Sequence, residues 1–219
     1  MGMIEPAGLP AKEPARRPRP VYVTGGITVL SFVGLLYVIE AIDHGMGQRL
    51  DLYGIYPRQA DGLMGIIWAP FLHGGWGHLI ANTVPLLILG FLMTLLGATR
   101  FVTATAIIWI VGGFGTWLIA PSGPVIGASG LIMGYLTFLI VFGFFTRTFW
   151  QIAVGVVVFL YYGTLLLGVF PFLVGPHVSW QGHLCGVVAG VLAAYTLSTP
   201  QRKRRELRRA KSAPPSLTS

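Results

Sequence analysis

Three residues that can take part in catalysis, His78, Ser129 and His183, lie in a part of the chain that is otherwise almost uncharged. Each stands close to the start of a predicted membrane-crossing helix. Ionisable and nucleophilic side chains are costly in lipid and are usually kept there for a function. A histidine beside a serine is the arrangement in which imidazole acts as general base and the hydroxyl becomes the nucleophile of an acyl transfer.

The composition is that of a membrane protein. Of the 219 residues, 54% are apolar and 10% are charged, whereas a soluble domain carries about 25% charged residues. Residues 62–199 contain no Asp, Glu or Lys, and their only full charges are Arg100 and Arg147. The net charge of +8 comes mainly from the two ends of the chain. We expect these basic ends to contact anionic lipid headgroups, and we expect no nucleic acid partner.

Six apolar runs are long enough to cross a membrane, since a spanning helix needs roughly 20 residues. The predicted spans are residues 21–42, 78–97, 101–120, 129–145, 150–170 and 183–199. They form one membrane domain over residues 21–199, between basic cytoplasmic tails at 1–20 and 200–219 that are predicted to be disordered. Residues 43–77 are too apolar for a plain loop and too rich in Gly and Pro for a span, which indicates an interfacial element.

The distribution of Lys and Arg predicts the orientation. With both termini in the cytoplasm, 13 of the 15 basic residues lie on that side, and only Arg49 and Arg58 lie outside. The second, fourth and sixth spans then run inwards, so His78, Ser129 and His183 share one level towards the outer leaflet. We expect a bacterial plasma membrane, with an organellar membrane as the alternative.

The first two candidate segments each allow a catalytic and a structural interpretation. His78 and Asn82 share one helix face and can donate to a common oxygen; alternatively, His73 and His78 are interfacial and Asn82 links two helices. Ser129 follows a loop rich in Pro and Gly. Free N–H groups at the helix start can stabilise an oxyanion there, or the serine simply caps its helix.

The third segment begins at His183. Glycines recur at four-residue spacing after both Ser129 and His183: Gly130 and Gly134, then Gly186 and Gly190. Such faces let membrane helices approach closely, so the serine and the histidine can meet. The alternative for His183 is a structural hydrogen bond to a loop carbonyl.

The sequence offers no good acidic partner for His183. The only carboxyl side chain after Asp61 is Glu206, in the cytoplasmic tail. Glu40 is expected to be an interfacial residue, and the remaining acids would have to fold back from outside the helices: Asp43, Asp51 and Asp61. A Ser-His dyad is therefore the simplest assignment.

Neither a metal nor a cofactor is predicted. There is no His-Glu-x-x-His pattern, and two histidines alone would leave a metal under-liganded. The single cysteine, Cys185, excludes an internal disulfide and a cysteine-based metal cluster.

Together these residues resemble the rhomboid family of intramembrane serine proteases. The resemblance covers about residues 21–199 and rests on three ordered motifs: His73 with His78 and Asn82; Gly127, Ala128, Ser129 and Gly130; and His183 with Gly186 and Gly190. It implies an all-α polytopic membrane protein, a six-helix rhomboid-like bundle with an interfacial first external loop.

The resemblance also implies the roles of the residues. Ser129 would be the nucleophile and His183 its general base and then acid, while His78, Asn82 and the Ser129 backbone N–H would form the oxyanion hole. The reaction would be hydrolysis, without a cofactor, of transmembrane segments of single-span or polytopic membrane proteins. The fifth helix would be a gate against the second.

Two positions depart from the family pattern. Met133 stands where many members have a tyrosine four residues after the serine, and Met64-Gly65 stands where many have Trp-Arg in the first external loop. Met133 is expected to supply an apolar wall for the imidazole. Two other functions stay open: a catalytically silent rhomboid-like protein that binds membrane clients, and a small-solute transporter, for which we find no repeated halves. The oligomeric state is not predicted.

Overall fold

The structure, a computed structural model, describes residues 19–176 and 178–212. Its helices are α1 (Val21–Gly45), α2 (Gly65–Trp68), α3 (Trp76–Thr94), α4 (Ala98–Ile119), α5 (Ser129–Thr146), α6 (Phe149–Tyr162) and α7 (Trp180–Ser212). Within the described ranges, six helices are long and apolar enough to cross a membrane, if the 3-10 segment Gly163–Val169 is counted with α6. The predicted all-α fold with six spans is confirmed.

Helix α5 is the central helix of the bundle. It is the most buried of the six spans, and it packs most extensively against α7, then α6, with further contacts to α3 and α4. The Phe138 and Phe142 rings stack at 4.8 Å between centroids within this core. Because α5 begins at Ser129, the central helix carries the candidate nucleophile at its first residue.

Two helix ends differ from the sequence prediction. Helix α1 extends to Gly45, so Asp43 is inside a helix, where we had expected it outside. Helix α7 begins at Trp180 and continues through Pro200 to Ser212, so the expectation of disorder from residue 200 is wrong for residues 200–212. The Arg, Lys, Glu and Leu of this stretch have high helix propensity. Residues 1–18 and 213–219 of the predicted tails lie outside the described residues.

The loop between α1 and α3 is a chain of short helical turns fixed to α4. The Arg58 guanidinium donates to the carbonyls of Leu118, at 3.2 Å, and Ala120, at 2.7 Å, where α4 ends. The Trp109 indole donates to the Ile66 carbonyl at 2.6 Å. A side chain at Gly65 would overlap the Gly54 backbone. Met64 and Gly65 are the two positions that depart from the Trp-Arg of many family members. At Gly65 the loop leaves no room for a side chain.

Three carboxyl groups lie where the end of α1 meets this loop. Glu40 and Asp43 are each only 2% exposed, so Glu40 faces inwards, towards Asp43 and Asp51; its position at the membrane interface stays a prediction. The Leu50 N–H donates to Asp43 Oδ1 at 2.7 Å. Burial, together with the neighbouring charges of Asp43 and Glu40, raises the pKa of Asp51 to about 6. Asp51 therefore keeps its proton to a higher pH than a free aspartate does.

Candidate active site

A cavity of about 910 Å³ lies where α3, α5 and α7 begin. Its lining includes His78, Ser129 and His183, as well as parts of the loops before α5 and α7. The structure therefore brings the three candidate residues to one cavity. Among the described residues, no three His, Cys, Asp or Glu side chains are grouped so that they could hold a metal ion.

Ser129 is presented to the cavity by a turn at Gly127. The Gly127 backbone has φ of +113°, a conformation that costs L side chains energy and that glycine adopts freely. Ala128 follows and is fully buried, so the chain turns inwards before α5 begins. In the part of the chain that the structure describes, no hydrogen bond occupies the Ser129 hydroxyl, and no side chain caps the start of α5. The hydroxyl is free for a substrate or a base.

Helices α5 and α7 touch through glycine backbones next to Ser129 and His183. A Cβ on Gly186 would overlap the Gly130 carbonyl and lie 3.1 Å from Gly130 Cα. One turn deeper, a Cβ on Gly190 would lie 2.9 Å from Gly134 Cα. The close approach predicted from the glycine spacing is confirmed, because no larger residue fits between the helices.

The imidazole of His183 lies against the backbone of Gly168. Its Nδ1 lies 3.0 Å from the carbonyl oxygen of Gly168, in the 3-10 segment that follows α6. A Cβ on Gly168 would lie 2.8 Å from this Nδ1 and 3.1 Å from Met133 Cε. Met133 is buried and lies near the same glycine; its role as an apolar wall for the imidazole stays a prediction. Sequence reasoning missed Gly168, because a backbone acceptor leaves no side-chain signal.

His78 and Asn82 lie on the other side of the loop before Ser129. A Cβ on Gly127 would lie 2.7 Å from His78 Cε1 and 3.8 Å from Asn82 Nδ2, so both side chains pack against this glycine. Asn82 is only 6% exposed. Its Nδ2 has no hydrogen-bond partner among the residues that the structure describes. An unsatisfied buried donor is costly, and here it lies beside the serine turn.

His73 lies behind these residues and does not line the cavity. It is 1% exposed, and its ring meets that of His78 edge-on at 5.1 Å. The Ala128 N–H approaches His73 Nε2 at 3.5 Å, which is a long hydrogen bond. Burial, with a smaller effect of His78, lowers the pKa of His73 to about 4. A neutral His73 therefore supports the Ser129 turn from inside the protein.

The sequence matches the Rhomboid domain family over residues 60–200. The chain belongs to the rhomboid family. The match includes all three motif segments, from His73 to Gly190. Of the rhomboid motif residues, His78, Gly127, Ser129, Gly130, His183 and Gly186 line the cavity.

Relatives of this rhomboid occur in mycobacteria. An uncharacterised protein of Mycobacterium tuberculosis is 58% identical, over 92% of this chain and 86% of its own length. One from Mycobacterium leprae is 50% identical, over 95% of this chain and 84% of its own. A rhomboid-like protease of Toxoplasma gondii is 33% identical over 59% of this chain and 16% of its own length.

Proposed function

We propose that this rhomboid is an intramembrane serine endopeptidase that cleaves transmembrane segments of other membrane proteins through a Ser129-His183 dyad. The observation that supports this most directly is the shared cavity, which Ser129 and His183 line from helices whose glycines touch. Membership of a family whose members are usually serine proteases points the same way. So does the similarity to a Toxoplasma gondii protein that is named as a protease.

In the proposed reaction the Ser129 hydroxyl attacks the carbonyl carbon of the scissile peptide bond while His183 takes its proton. A tetrahedral oxyanion forms, and the bond to nitrogen breaks as His183 protonates the leaving amine. Water, deprotonated by the same histidine, then attacks the ester carbon of the acyl-enzyme, and the Ser129 oxygen leaves as it takes the proton back from His183. Catalytic hydrogen bonds are often loose before substrate binds, which is compatible with the free Ser129 hydroxyl.

The oxyanion would be stabilised by donors that have little else to bind. The unpartnered Asn82 Nδ2, His78 and the Ser129 backbone N–H are the proposed donors. Each lies beside the Gly127 turn or at the start of α5. A preformed donor that points at developing charge lowers the barrier because nothing must reorganise during the reaction.

Substrate would enter from lipid and water from outside. From the distribution of basic residues we infer that both termini lie in the cytoplasm, and we propose that the cavity opens towards the outer leaflet. Helix α6 is the least buried of the six spans, which fits a wall that moves to admit a substrate helix. The mycobacterial relatives support a bacterial plasma membrane. The basic helical end of α7 would contact anionic headgroups on the inner surface.

Co-expression with a panel of tagged single-span membrane proteins tests this function. New fragments should appear with the wild type and disappear with Ser129→Ala. Ser122→Ala is the matched control, because Ser122 also lines the cavity but lies in the loop before the motif; it should still cleave. Fragments that persist in Ser129→Ala would contradict the proposal. Binding of panel members without any cleavage would instead support a silent client-binding rhomboid.

A further inference from the structure

His183 is held by a backbone oxygen, and the described structure gives it no carboxylate partner. A carbonyl oxygen can only accept a hydrogen bond, so the proton in the contact with Gly168 must be on His183 Nδ1. A neutral imidazole carries one ring proton. Its other nitrogen, Nε2, therefore keeps its lone pair. The 3.0 Å contact selects the tautomer that is able to act as a base through Nε2.

We propose that the Gly168 carbonyl is the positioning group for His183, in place of the acidic residue of a Ser-His-Asp triad. In such a triad, the acid holds the imidazole in the correct tautomer and stabilises the imidazolium. When the Ser129 proton moves to Nε2, the ring becomes a cation with protons on both nitrogens. The Gly168 oxygen then accepts a charge-assisted hydrogen bond, which is stronger than a neutral one. The Nε2 proton leaves again with the departing amine.

The local packing explains why this position is glycine. A Cβ on Gly168 would lie 2.8 Å from His183 Nδ1 and 3.1 Å from Met133 Cε, both well inside van der Waals contact. Even alanine would push the segment away from the ring. The carbonyl thus reaches the imidazole only because nothing but hydrogen stands on the Gly168 Cα.

The segment that carries the Gly168 carbonyl couples the position of His183 to that of α6. Gly168 belongs to the 3-10 segment Gly163–Val169, which continues directly from α6. Helix α6 is the least buried span. A displacement of α6 and this segment away from α7 would therefore break the hydrogen bond and release His183. His183 would be positioned as a base only when α6 and this segment have not moved away from α7.

Nitrogen-15 NMR of histidine tests the tautomer directly. The inference rests on the proposed function for its catalytic meaning, but the tautomer does not depend on turnover, so the full chain with Ser129→Ala can be used in detergent. Five histidines are present, and subtraction of the spectrum of the Ser129→Ala, His183→Ala double variant assigns His183. At a pH where the ring is neutral, we expect a proton on Nδ1 and none on Nε2. A proton on Nε2 would overturn the proposal.

Gly168→Ala tests the catalytic consequence. We expect kcat to fall by roughly 10²- to 10⁴-fold, the range between misplacement of a group and a wrong tautomer, with KM nearly unchanged and a mixture of His183 tautomers. Gly34→Ala is the matched control, because its Cβ would meet nothing within 4 Å; it should keep wild-type rates. A purely structural role would change the melting temperature but neither the tautomer nor the kcat of the folded fraction, and that result would overturn the proposal.

The two proposals fail in different ways. Proteolysis by a chain whose His183 carries its proton on Nε2 would remove the positioning role and leave the protease function intact. An Nδ1 proton in a chain that never cleaves would support the positioning by Gly168 and contradict the proposed function. If Gly168→Ala does not fold, the NMR measurement on the Ser129→Ala chain still decides the question.

Discussion

The contact between α5 and α7 predicts a large effect of one methyl group. In Gly186→Ala, the new Cβ would overlap the carbonyl oxygen of Gly130. It would lie 3.0 Å from the carbonyl carbon of Gly130 and 3.1 Å from the Cα of Gly130. Optimal separation between carbon atoms is roughly 3.5–4.0 Å. The helices must therefore separate by about 0.5–1 Å, because backbone atoms cannot rotate away as a side chain does.

This separation should affect both stability and rate. Overpacking of this kind costs about 1–3 kcal/mol. A misplacement of about 1 Å between reacting groups costs on the order of 10²-fold in rate, and Gly130 is the neighbour of Ser129. We therefore expect Gly186→Ala to lower turnover by roughly 10²-fold and to lower the melting temperature.

Cleavage of a substrate from the co-expression panel, in proteoliposomes, measures the rate, and thermal unfolding in detergent measures the stability. Gly190→Ala creates the same kind of overlap one turn deeper, at Gly134. It should lower the melting temperature similarly but the rate less, because Gly134 is farther from Ser129. Gly34→Ala should change neither. Wild-type turnover and melting temperature in Gly186→Ala would refute the reasoning.

Three further predictions concern single side chains. Asn82→Ala should lower turnover roughly tenfold to a thousandfold, as loss of one oxyanion donor does; unchanged kcat would remove Asn82 from the site. Folding raises the pKa of Asp51 from 3.8 to about 6, so its ionisation destabilises the fold as pH rises through 6. Asp51→Asn should raise the melting temperature above pH 6 and not below pH 4, and the reverse order would contradict this. Folding lowers the pKa of His73 from 6.5 to about 4, so the wild type should lose up to about 3 kcal/mol as pH falls through this window. Denaturant titrations should show a smaller loss for His73→Gln; an equal loss would exclude His73 as a cause.

The sequence predicts the six spans and the meeting of α5 with α7 because both signals are local. Apolar runs of membrane length need no knowledge of their neighbours, and glycines at four-residue spacing mark a helix face that can be approached closely. The same is true of Met133, whose position one turn after Ser129 places it on the side of α5 near His183.

Other features depend on contacts between distant segments. In our proposal Gly168 acts through a carbonyl that every residue possesses, so the sequence gives no sign that this glycine meets His183. The inward direction of Glu40 depends on how residues 46–75 fold back onto α1, and these residues have no regular period. The extension of α7 past Pro200 was missed because proline and a charged composition both suggested the end of the helix, whereas the residues that follow favour helix.

The central claim is that Ser129 is a nucleophile activated by His183, and labelling with a fluorophosphonate probe tests it most directly. Mass spectrometry should find the phosphonyl adduct on Ser129 in the wild type, none in Ser129→Ala, and a rate of labelling lowered by orders of magnitude in His183→Ala. Labelling of Ser129 that is as fast in His183→Ala as in the wild type, or a folded wild type that is not labelled at Ser129, would contradict the account.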